Sequence, residues 1–104
     1  MKVLTKSVLF EGQEFVLIQN SHEGRTYYGT IPCTELDSTG RLKRQLNGAE
    51  MQISWENPAV ALENRRREVV ITRLLNGLKS QGIEGMEAFK ALQQCEEYQN
   101  LYKR

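Results

Sequence analysis

The chain has 104 residues, of which 39% are apolar and 26% charged, and its formal net charge is +1. That length and balance suit one globular domain and exclude a disordered chain. Near-neutrality excludes a strong overall field on nucleic acid, so any anion recognition must come from a local patch.

The opening stretch, MKVLTKSVLFEG, has neither the apolar core nor the small-residue cleavage site of a signal peptide. No segment approaches the roughly 20 apolar residues that span a membrane as a helix. The cytoplasm is the expected location. Cys33 and Cys95 lie far apart and fit no metal-ligand spacing, so reduced thiols are expected, with a bridge between them left open.

The first half reads as strands. "KVLTKSVLF" (2–10), "EFVLIQN" (14–20) and "TYYGTIP" (26–32) are apolar, β-branched and aromatic runs separated by turn residues, the pattern of an antiparallel meander. "CTELDSTG" (33–40) is a loop. In "RLKRQLNGAEMQISW", Asn47-Gly48 predicts a two-residue type I′ hairpin turn. That register puts Leu42, Leu46, Ala49, Met51, Ile53 and Trp55 on one face, with Arg41 and Lys43 on the other.

After Trp55 the period lengthens to that of a helix. Asn57-Pro58 is a start signal for a helix over 58–80, and a second is expected from Gly85 to Tyr102. Strands followed by helices predict an α+β class: a sheet of about five antiparallel strands with two C-terminal helices on one face. The whole is expected to be one domain, β-rich over 1–55 and helical over 57–104.

"LENRRREVVITRLL" (62–75) carries the strongest charge cluster. At 100° per residue the core stripe is expected to hold Val60, Val70, Ile71, Leu74, Leu75 and Leu78, with Arg67 amid it and paired to Glu63. Arg65, Arg66 and Arg73 then share the opposite side with Leu62 and Val69. Arginines mixed with exposed aliphatics mark a contact surface, and Arg41 and Lys43 extend it. The competing reading is an ordinary solvated face.

Residue types needed for catalysis are sparse. The single histidine, His22, sits in a turn without a neighbouring nucleophile and orienting group. Glu96-Glu97 point in different directions from a helix, and "NGLKSQGIEG" lacks the spacing of a phosphate loop. A stacking role for Tyr27-Tyr28 is weakened because adjacent strand residues face opposite sides. No enzyme, cofactor or metal is expected.

"HEGRTYYGTIP" followed by "LDSTGRLKRQLNG" resembles small accessory proteins of Firmicutes mobile elements, anti-CRISPR proteins among them. The likeness covers roughly residues 1–55 and carries no residue-level motif. It implies a stoichiometric inhibitor or accessory factor, not an enzyme, and the basic face leads to the expectation that it docks on a protein handling nucleic acid. The alternative is a small regulator that binds nucleic acid directly through the same cations.

Overall fold

Two tight turns set the sheet. In the computed structural model, which describes residues 1–103, strands β1 (Lys2–Phe10), β2 (Gln13–His22) and β3 (Arg25–Pro32) form successive antiparallel hairpins. The turns are Glu11-Gly12, at φ 50° and 78°, and Glu23-Gly24, at φ 52° and 78°. Positive φ at both central residues matches the right-handed twist of the flanking strands, and glycine at the second removes the Cβ penalty there.

Asn47-Gly48 makes no such turn, which corrects the predicted hairpin. Asn47, at φ −88°, is the N-cap of a short helix, α1 (Gly48–Met51). Its side-chain oxygen accepts from Glu50 N–H at 2.8 Å, and Glu50 Oε1 accepts from Asn47 N–H at 3.2 Å. The same letters "NGAE" encode a hairpin turn and a capping box, and the box satisfies two helix-end donors that a turn leaves open. Of the predicted hairpin, Ser54–Trp55 (β4) alone joins the sheet, pairing with β3 through Tyr27↔Trp55 and Tyr28↔Ser54. The sheet therefore has four strands in the order β1-β2-β3-β4, rather than about five.

Alternation of side chains gives the two central strands two covered faces. Val16, Ile18 and Ile31 meet Leu46, with Cys33, Leu36, Leu42 and Met51 packed around them. Leu42, Leu46 and Met51 thus share one side as predicted, although no hairpin puts them there. Phe15, Leu17 and Thr30 occupy the other face, which is why Phe15–Ile18 are all buried.

Helix α2 (Pro58–Ser80) starts where predicted, Asn57 Oδ1 accepting from Ala59 N–H at 3.0 Å and Val60 N–H at 3.3 Å. The expected second helix is broken into α3 (Gly85–Gln93) and α4 (Glu96–Asn100). A reason is visible in the buried residues. Leu92 and Leu101 are both buried, yet nine residues of unbroken helix would set them half a revolution apart. The break at Gln94–Cys95 lets both turn inward. The contact map divides the chain into two compact units, Met1–Arg66 and a second beginning at Arg67. Cys33 and Cys95 are free thiols.

Arg44 holds the Glu50 carboxyl below the usual carboxylate range, with help from Asn47 N–H. Thr39, chiefly by its hydroxyl, does the same for Asp37. Groups depressed on folding contribute stability that is present above their unfolded pKa and lost as pH falls through the folded one. Thermal melts should therefore show stability declining below about pH 4, with Glu50→Gln flattening part of that decline. At neutral pH Asn47→Ala should cost about 1 kcal/mol.

Candidate partner-binding surfaces

Three consecutive helical residues point 100° apart, so the arginine triplet cannot form one patch. Each member has a different environment. Arg65 is only 4% exposed. Its Nε–H donates to Thr30 Oγ1 at 2.6 Å, and Nη2 donates to the carbonyls of Thr30 at 3.0 Å and Glu50 at 2.6 Å. Thr30 in turn donates its hydroxyl to Met51 O at 3.2 Å, and the guanidinium carbon lies 4.8 Å from the centroid of the Phe15 ring. Arg65 is thus an internal polar link, which overturns its expected place on an outer face.

Arg66, half-buried, makes a two-pronged ion pair with Glu63, Nε to Oε2 at 3.0 Å and Nη2 to Oε1. That bond raises the Arg66 pKa. Arg67 donates from Nε to Leu101 O at 3.0 Å and lies 4.8 Å over the Tyr102 ring. Arg73 remains accessible but is paired with both oxygens of Glu97.

The phase error behind these corrections is clear. The buried positions along the first half of α2 are Ala61, Arg65 and Val69, four apart and on one side of the helix. Val69 is therefore core, not contact surface, while Val60 is 42% exposed. Leu62 is half-buried. A stripe with an arginine at its centre is discounted by any hydropathy reading, although the long arginine stem packs well in an apolar setting. Of the seven predicted contact residues, Arg41, Lys43 and Arg73 are exposed, the first two in the loop held by Asp37.

Two surfaces lie outside the seven predicted contact residues. β1 is an edge strand, exposed along nearly its whole length, and presents Val3, Leu4 and Leu9 together with Lys2 and Lys6. A first strand in a meander is an edge by default, so this signal was available. The second surface is a groove of about 610 Å³ between α2 and α3, with Ile71, Leu75, Ala88 and Leu92 among its lining.

The remaining candidates are quieter. Tyr27 and Trp55 meet edge to face at 5.3 Å, but Arg25 already covers the Trp55 ring at 4.6 Å. His22 is exposed, 3.6 Å from Glu23. Among the described residues, no group of three or more His, Cys, Asp or Glu is placed to hold a metal ion, and no helix is long and apolar enough to cross a membrane. Comparison with family models, curated proteins and solved structures finds no match to this chain.

Arg65→Ala would leave the Thr30 and Glu50 carbonyls and the Thr30 hydroxyl without their donor. It should destabilise by roughly 2–4 kcal/mol in chemical denaturation. Arg66→Ala, removing an accessible pair, should change stability by no more than about 0.5 kcal/mol. Equal effects would contradict the assignment of Arg65 to the interior.

Proposed function

We propose that this protein is a non-catalytic interaction factor, a small stoichiometric inhibitor or accessory protein of the anti-CRISPR kind, that docks on a nucleic-acid-handling protein in the cytoplasm. The observation that carries the reading is β1, a nine-residue edge strand with aliphatic and cationic side chains exposed together. An unpaired strand edge offers main-chain donors and acceptors to an extended segment of another protein, and its side chains supply selectivity.

The chemistry of β1 narrows the partner. Lysine on an edge strand and irregular pairing both discourage pairing with a like edge. β1 carries Lys2 and Lys6, and its register against β2 shifts between Val3 and Thr5 and between Thr5 and Val8. A strand built this way favours a segment of opposite charge. Enzymes that process nucleic acids commonly concentrate carboxylates around their metal ions, and a carboxylate-bearing segment suits Lys2 and Lys6. Arg41 and Lys43 remain candidate contacts. Arg65 and Val69 do not, being interior.

Direct nucleic-acid binding is less well supported, because Arg65 is internal and both Arg66 and Arg73 hold carboxylates.

A photo-crosslinker at Leu9, used in host lysate, should capture a nucleic-acid-processing protein. Lys2→Glu/Lys6→Glu should lose that capture while keeping the native circular dichroism. The purified target's activity should then fall to its floor at one equivalent of this protein. Capture of free nucleic acid alone, or a salt-sensitive gel shift with DNA or RNA by the isolated chain, would overturn the reading in favour of direct binding.

A further inference from the structure

The groove between α2 and α3 lies wholly within the second unit and is independent of β1. Phe89, one of its lining residues, is 48% exposed, and Met86, three residues earlier on α3, is 69% exposed. Exposed aromatic and methionine side chains beside an open apolar groove mark an unfilled contact.

The groove's charges identify what fills it. Lys79, near the end of α2, and Glu84, at the start of α3, both border it, on either side of the connection through Gly82. A two-fold interface brings each surface patch against itself, so a rim of one sign would repel its own copy. A rim with one cation and one anion on opposite walls is self-complementary. We infer that this groove is closed by a second copy of the chain. A two-fold axis along the groove lays each α2 over the partner's α3 and sets Lys79 of each copy against Glu84 of the other. The exposed Phe89 of each copy then enters the other's groove, giving a four-helix arrangement.

The size of the surface sets the strength. From Arg67 to Ser80 the wall is roughly 20 Å long at 1.5 Å per residue, and two helices side by side are about 20 Å wide. That footprint, about 400 Å² per copy, is about half that of a standard interface, so the dimer is weak and reversible and forms only at high protein concentration.

Sedimentation velocity of the full chain over a concentration series tests this. A monomer–dimer equilibrium is expected. Phe89→Glu should weaken it at least about tenfold without altering the melting transition of the monomer, because Phe89 is half exposed. Lys79→Glu and Glu84→Lys should each weaken association, and the double exchange should restore it. A chain monomeric at every concentration, a dimer indifferent to Phe89→Glu, or a double exchange that fails to recover association would each overturn the proposal.

Discussion

The N-terminal unit depends on one buried guanidinium. Arg65 joins β3, through the Thr30 hydroxyl and carbonyl, to the end of the capped turn, through the Glu50 carbonyl. An arginine sealed from water is tolerated only where its donors are met, since each unmet polar group inside costs about 1–3 kcal/mol. Here the fork meets two carbonyls and a hydroxyl, and an aromatic ring lies over its face. The Thr30 hydroxyl is both acceptor and donor, passing the connection to Met51 O. Three segments distant in sequence (β3, the α1 turn and α2) are thereby fixed by one side chain.

That arrangement removes Arg65 from any contact surface. A helix turns 100° per residue, so consecutive arginines diverge, and the triplet separates into an internal link, a surface ion pair and a brace to the C-terminal segment. The cations that look concentrated in the sequence are met by carboxylates. Arg66 takes Glu63, Arg73 takes Glu97, Arg44 takes both Glu35 and Glu50, and Arg25 takes Glu56. Exposed apolar side chains lie instead on β1 and, separately, on α3 in the second unit.

Much of the fold is legible from pattern. The three-strand meander, the Asn57-Pro58 helix start and the strands-then-helices order follow from period and turn chemistry. The failures are local and physical. "NGAE" satisfies two motifs, and the stronger one depends on a reciprocal pair of hydrogen bonds that periodicity does not weigh. The break between α3 and α4 arises because Leu92 and Leu101 must both be buried, a tertiary demand invisible to a stretch with continuous helical spacing. The candidate site fared worst. Hydropathy treats Arg65 as outward-facing, and only the hydroxyl and carbonyls gathered by the fold turn it inward.

The most direct check of this account is the exchange rate of the Arg65 Nε–H with water, read by proton–nitrogen NMR at neutral pH beside that of exposed Arg41. Held against Thr30 Oγ1 and sealed from solvent, the Arg65 proton should persist as a sharp signal and exchange far more slowly than that of Arg41. If the two exchange at the same rate, Arg65 faces water and the internal link does not exist.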